Sequence, residues 1–304
     1  MGVESTFSYD VFYDECKEGG FWHSFIFIPR MNQLNLLNLL LEARTNLNYF
    51  HPIYYTSVNK KTKSNSEKVR LIKSWITILH YALQEQKIDA DIYLGHKTDT
   101  PVYRKIKGTA NKIGVKYVVL REKDCLKSMF SDMSYSKKVE ATFRMGLKGG
   151  CHFLFKDLMK IGNIYVDHPE KNFNRSYDGV KILDRLRREI RDNILFEEDS
   201  RICPIDKNSY REKDLITEFM QLADISVGAI RTRALKIKEP FLRYEIAHPL
   251  SELLEKDIKN KARMNNSRFL NSFSLSEAWL KDESWQFDNL KIENQVTCQE
   301  PSLF

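Results

Sequence analysis

The sequence predicts an α/β fold, a β-sheet with helices on its faces, and three observations lead there. Short runs rich in β-branched and aromatic residues alternate along the chain with segments of helical periodicity. The first two of those runs flank a Gly-Gly pair, which marks an antiparallel hairpin. A hydrophobic fraction of 42% with 12% aromatic residues, over 304 residues, supplies the apolar surface that a packed core needs.

Taken in order, "DVFYDE" and "WHSFIFIP" form the hairpin around Gly19-Gly20. Residues 32–47, with Leu36, Leu37, Leu40 and Leu41, predict a helix, and "PIYYTSV" (52–58) a third short strand. Apolar positions 69, 72, 75, 76, 79 and 83 make 66–86 an amphipathic helix, with Ser66 placed to cap it. "DADIYLGH" and "VKYVVLRE" read as strands, with the basic "TPVYRKIKGTANKIG" between them as helix or excursion, and a basic insertion is placed near 97–135. Helix is expected over 136–160 on both sides of Gly149-Gly150, then a strand ending at Asp167. A helix over "YDGVKILDRLRREIRDN", a short strand "RICPID" and a long helix over 212–236 complete residues 1–238 as one domain. Residues 239–304 read as a helical C-terminal extension, with a further short helix at "FSLSEAWLKDESW" and, over 284–304, a loosely held tail or partner-binding segment.

Composition removes several function classes. No run approaches the 18 apolar residues that would suggest a membrane span, and the N-terminus has no signal-like core, so a cytoplasmic protein without a membrane partner is expected. The five cysteines, at 16, 125, 151, 203 and 298, show neither a disulfide framework nor zinc-ribbon spacing. "GHKT" (95–98) lacks the upstream glycine of a phosphate-binding loop, and the dinucleotide, nucleophile-elbow and zinc-protease motifs are absent. No pocket motif of a ligand-sensing module stands out.

Charge is more informative. The net +7 is uneven: residues 275–304 hold six acids against two lysines, leaving +11 on the rest. Basic residues cluster at 59–73, 103–117, 185–191 and 231–238. Such a surface suits a polyanion, and Lys60, Lys61, Lys105, Lys107, Arg231 and Arg233 are the candidates to grip a nucleic-acid backbone, DNA or RNA.

Three acids have a setting that suggests chemistry. Asp14 follows an aromatic strand, Asp167 ends "IYVD", and Asp224 lies in a helix that is apolar almost all the way round. A buried carboxylate must be hydrogen-bonded, paired or metal-bound. Thr217, Gln221, Asp224, Gly228 and Arg231 share one stripe of that helix. Gln221 can support a metal-bound water, Gly228 can admit a close neighbour, and Arg231 can reach a phosphate or neutralise Asp224. Glu15, next to Asp14, points to the opposite face of an extended strand and ranks below it.

"VFYDECKEGGFWHSFIFIP", "NIYVDHPE" and "FMQLADISVGAIRTR", in that order, resemble the corresponding stretches of the "domain of unknown function 3800" family, over roughly residues 8–235. The resemblance implies a ribonuclease H-like fold: a mixed five-stranded sheet with helices on both faces and an acidic, metal-binding centre. By it, Asp14, Asp167 and Asp224 are the ligands of Mg²⁺ or Mn²⁺ and the catalytic residues, with Glu15, Gln221 and His168 in support. The chain departs from the family at Cys16-Lys17, where Ser-Gly is usual, and at "HPIYYTSV", which lacks a glutamate many relatives carry. Glu140 or Asp206 can stand in for that acid, and His51 or His168 can shuttle protons. The expected activity is metal-dependent cleavage of nucleic-acid phosphodiester bonds, in defence against phage or mobile DNA and alongside a protein partner. The alternative is a non-catalytic nucleic-acid-binding or scaffold subunit on the same fold.

Overall fold

The computed structural model describes residues 7–17, 20–83, 113–122, 135–167, 178–190, 192–205, 211, 213–254, 272–281 and 284–289. Strand β1 (Phe7–Cys16) and β2 (Phe21–Pro29) form the expected antiparallel hairpin, with Asp14 opposite Ser24. Gly20 leaves the turn at φ +115°, a conformation that L side chains rarely adopt. Helices α1 (Gln33–Leu47) and α2 (Glu67–Ala82) precede β3 (Lys116–Glu122), which pairs antiparallel with β2. Helix α3 (Tyr135–Leu154) then crosses to β4 (Met159–Asp167), parallel to β1.

Helix α4 (Gly179–Glu189) starts at Asp178, whose side chain accepts from the Lys181 amide. Strands β5 (Ile194–Phe196) and β6 (Ile202–Ile205) both run parallel to β4, one along its start and the other along its end. Helix α5 (Leu215–Ala234) is capped by Asp214, which accepts from the Thr217 amide at 2.9 Å and hydroxyl at 2.6 Å. The short α6 (Phe241–Ile246) follows, then β7 (Phe273–Lys281) and β8 (Ser284–Asn289). The sheet runs β5-β4-β1-β2-β3-β7-β8, with β6 also beside β4.

The period-two alternation of β1 sends its residues into two cores. Phe12 joins the apolar face covered by α1, α2 and α5, while Tyr9, Val11 and Tyr13 join the face covered by α3 and α4. The mixed sheet with helices on both faces is therefore present. Helix α3 lies unusually close to it. A Cβ on Gly146 would stand 2.5 Å from the Phe25 ring, and one on Gly150 2.7 Å from Val118, so glycine at these positions allows the approach.

Two expectations fail, each for a tertiary reason. "PIYYTSV" is a loop with a 3₁₀ turn over Tyr55–Ser57, because the amides of Ile53 and Tyr55 bond to side chains of α5 and not to a strand. "FSLSEAWLKDESW" is β7 and the start of β8, and residues 273–289 extend the main sheet where a helix and a loose tail were expected. Phe273 and Leu275, two apart, enter the core beside β3, and Glu277 pairs with Arg121 at 3.0 Å across the parallel strands. Ser66 holds the N-cap position of α2 without a side-chain capping bond. "DADIYLGH" and residues 97–112 lie outside the described residues.

One buried polar cluster locks the helical layer. Arg44 of α1 and Glu218 of α5 are both fully buried and meet at 2.8 Å. The guanidinium also donates to the carbonyls of Tyr49 (3.2 Å) and His51 (2.9 Å) and to Gln221 Oε1 (3.2 Å), and lies 4.7 Å over the Trp75 ring of α2. Arg44→Ala leaves Glu218 buried and uncompensated, and should cost about 3–5 kcal/mol in a urea unfolding curve. The Arg44→Met/Glu218→Leu double variant should lose less than that single change, since no lone charge remains.

Candidate functional site

Asp14 stands on an even position of β1, so it shares the α5 face with Phe12, and it is fully buried. Its cross-strand neighbour Ser24 donates to the Tyr117 hydroxyl at 3.2 Å. Burial pushes the Tyr117 phenol above its ordinary value, and the negative charge of Asp14 nearby adds to that push.

Asp167 arrives from the other side. The pairing of Tyr13 with Val166 in the parallel ladder, continued by one residue, sets Asp14 beside Asp167. Tyr165 stacks on Phe12 at 5.0 Å with an interplanar angle of 18°, which fixes positions 165 and 167 on the face that carries Phe12 and Asp14. Adjacent strands are about 4.8 Å apart, so two carboxylates emerge side by side. They are 153 positions apart in the chain, at the C-terminal ends of β1 and β4.

Helix α5 packs across this face, with Phe219 meeting Phe12 edge-on at 5.1 Å. Asp224, five residues further along, is turned about 140° around the helix from Phe219. It is half-buried, and its Oδ2 accepts from the Tyr55 amide at 3.0 Å. One turn earlier, Gln221 Oε1 accepts from the Ile53 amide at 2.7 Å and from Arg44. Gly228 completes the stripe: a Cβ there would stand 2.4 Å from the Tyr55 ring. The Gln221–Asp224–Gly228 face thus seats the 49–58 segment. Among the described residues, no group of three or more His, Cys, Asp and Glu side chains lies close enough together to hold a metal ion.

The other candidates separate clearly. Glu15 points to the opposite face, as its position requires, and meets Lys17 at 3.4 Å and the Tyr13 hydroxyl at 3.3 Å. Glu140 belongs to α3, on that same opposite side, where Arg185 (2.8 Å) and Arg144 (3.5 Å) hold it; it does not stand in for a missing ligand. His51 is exposed, with its carbonyl turned to Arg44. Arg231 is only 4% exposed, which removes it from any surface that grips phosphate, and Arg233 lies 3.9 Å over the Tyr244 ring. Lys60 and Lys61 are exposed. His168, Asp206, Lys105 and Lys107 lie outside the described residues.

Two polar clusters escaped the sequence reading. Under α3, the Tyr13 hydroxyl meets His23 Nδ1 at 2.8 Å, and His23 Nε2 meets Glu122 at 3.0 Å. The ladder ties β1, β2 and β3 together, and its first two members lie on one face of the predicted hairpin; only the register of β3 was missing. On the α5 face, Asp10 accepts from Arg30 Nε (2.9 Å), Gln33 Nε2 (2.7 Å) and the Asn163 amide (2.7 Å). That amide is released by the register shift between β1 and β4, so Asp10 fills the gap a bulge opens.

No family model, no curated protein and no solved structure matches the chain.

The role of Asp224 as a seat for the loop can be separated from any role as a ligand. Asn keeps an acceptor oxygen for the Tyr55 amide and Ala does not. Asp224→Asn should therefore unfold close to the parent protein, whereas Asp224→Ala should lose about 1–3 kcal/mol, the usual cost of stranding a buried donor. Denaturant midpoints of the two variants check this.

Proposed function

We propose that the protein is a metal-dependent hydrolase of nucleic-acid phosphodiester bonds, of the ribonuclease H-like class. The observation that carries this reading is the juxtaposition of Asp14 and Asp167 on one face, at matching ends of adjacent parallel strands. The mixed sheet, with Asp14 near the end of an inner strand and β2 as its antiparallel neighbour, supports this reading at the level of a mixed α/β sheet, while its eight strands exceed the five that the sequence resemblance implies.

The donor chemistry fits Mg²⁺ or Mn²⁺. Carboxylate oxygens are the hard donors these ions take, and two adjacent carboxylates, one fully buried, concentrate negative charge that a cation neutralises. Asp14 and Asp167 would hold the ion, with Asp224 as the third ligand the resemblance implies. When bound, such an ion supplies Lewis-acid activation of a water and charge neutralisation at a phosphate oxygen. The chain's own part is to fix geometry: the ladder holds Asp14 and Asp167 at a set separation, and Asp224 holds the 49–58 segment on the helix above the sheet. A role in defence against phage or mobile DNA, with a protein partner, belongs to the same proposal.

A second reading has its own support. Gln221 and Asp224 have a sufficient structural use on the Ile53 and Tyr55 amides. That use suits a non-catalytic nucleic-acid-binding or scaffold subunit.

Cleavage of single- and double-stranded DNA and RNA, compared in Mg²⁺, Mn²⁺ and EDTA, decides between them. The nuclease should cut only with metal, and Asp167→Asn should abolish cutting while nucleic-acid binding stays. Equal cutting by Asp167→Asn and the parent would reject the assigned site.

A further inference from the structure

The basic clusters at 59–73 and 231–238 are far apart in sequence, yet the fold brings them together. Arg243 donates from Nε to the Val58 carbonyl (2.6 Å) and from Nη2 to the Thr56 carbonyl (2.7 Å). Lys68 Nζ donates to the Ser57 carbonyl at 3.2 Å, and the Tyr55 hydroxyl to the Arg243 carbonyl at 2.9 Å. Just past this clamp, Lys60 meets Glu239 at 3.2 Å, with both side chains more than 70% exposed. The 56–61 segment therefore lies along the 239–243 segment. Residues 56–68 and 231–245 together carry nine lysines and arginines against three glutamates, a local net charge of +6.

These charges divide by burial. Arg231 is buried and Arg243 is spent on backbone carbonyls. Lys60, Lys61, Lys63 and Lys238 are exposed, and Lys236 is half-buried. We infer that these five lysines form one rim that grips the sugar–phosphate backbone of a nucleic acid, continuous with the candidate site. The inference rests on the proposed action on nucleic acid, and it adds where the polymer runs.

Continuity follows from the chain itself. The segment leaves Asp224 at the Tyr55 amide and reaches Lys60 and Lys61 five and six residues later. An extended chain covers at most about 3.3–3.6 Å per residue, so both lysines attach to the backbone within about 20 Å of Asp224. At about 3.4 Å per nucleotide along one strand, that is a reach of about six nucleotides. Of the three glutamates in these segments, Glu239 pairs with Lys60 of the rim and offsets one of its charges.

The test is fluorescence anisotropy of the full chain with a labelled 20-mer, as DNA duplex and as single-stranded RNA. EDTA keeps the probe whole, and salt is varied. Lys60→Glu/Lys61→Glu/Lys63→Glu should weaken binding at least tenfold and flatten the slope of log K against log salt by about two to three. Glu239→Lys should do the opposite, tightening binding and steepening the slope by about one, which misfolding cannot mimic. Unchanged affinity and slope in the triple variant, or in Glu239→Lys, would overturn the rim. Cleavage in Mg²⁺ and in Mn²⁺ is scored separately, with the parent protein and with both charge variants. Charge-dependent binding without cleavage keeps the rim and rejects the nuclease, while cleavage that is indifferent to these charges keeps the nuclease and rejects the rim.

Discussion

Arg44 and Glu218 meet inside the protein with neither side chain reaching solvent, and much of the α5 face is arranged around that contact. Removing two charges from water is costly, and mutual attraction offsets the cost only when the remaining donors and acceptors are also used. Here they are: the guanidinium reaches two carbonyls, a carboxylate and an amide oxygen, and its plane lies over Trp75. Two of these contacts go to α5, two to the chain at 49–51 and one to α2, so α1, α2, α5 and that segment are set in one mutual position. Gln221 shares the cluster and accepts from the Ile53 amide, while Asp224, one turn on, accepts from the Tyr55 amide.

Two aspartates of β1 show how neighbours decide the use of a charge. Asp10 and Asp14 lie on the same face, one helical layer above both and Phe12 between them. Asp10 faces Arg30, which also bonds Glu197, and it takes an amide from the bulged strand beside it. It is a structural charge, neutralised where it stands. Asp14 has a second carboxylate as its neighbour on that same strand, and this difference makes it the chemical candidate.

The sequence made the local elements readable and the long-range ones less so. The hairpin, the Asp167 strand and the Gln221–Asp224 helix were legible because period-two and helical patterns are local, and the two sheet faces followed from alternation. "PIYYTSV" has the composition of a strand, but side chains more than 160 residues away capture its amides. Phe273 and Leu275 have strand spacing too, and only β3 as a neighbour selects it over a helix. For the site, residue type identified Asp14 and Asp167, and the resemblance placed them together. That Arg231 is inside the protein and Gln221 occupied with a loop depends on the turn of α5 about its axis, which spacing along one helix does not set.

The parallel pairing of β7 with β3 also bears on how the molecule is made. The hairpin and β3 are complete by residue 122, yet the strand that covers the outer edge of β3 begins at residue 273. During synthesis, the apolar run Tyr117-Val118-Val119-Leu120 therefore waits about 150 residues with one edge unpaired. Such an edge is a template for pairing with another chain. A nascent or truncated product that stops short of β7 carries that adhesive edge permanently, so the last strands of the sheet act as its guard against self-association.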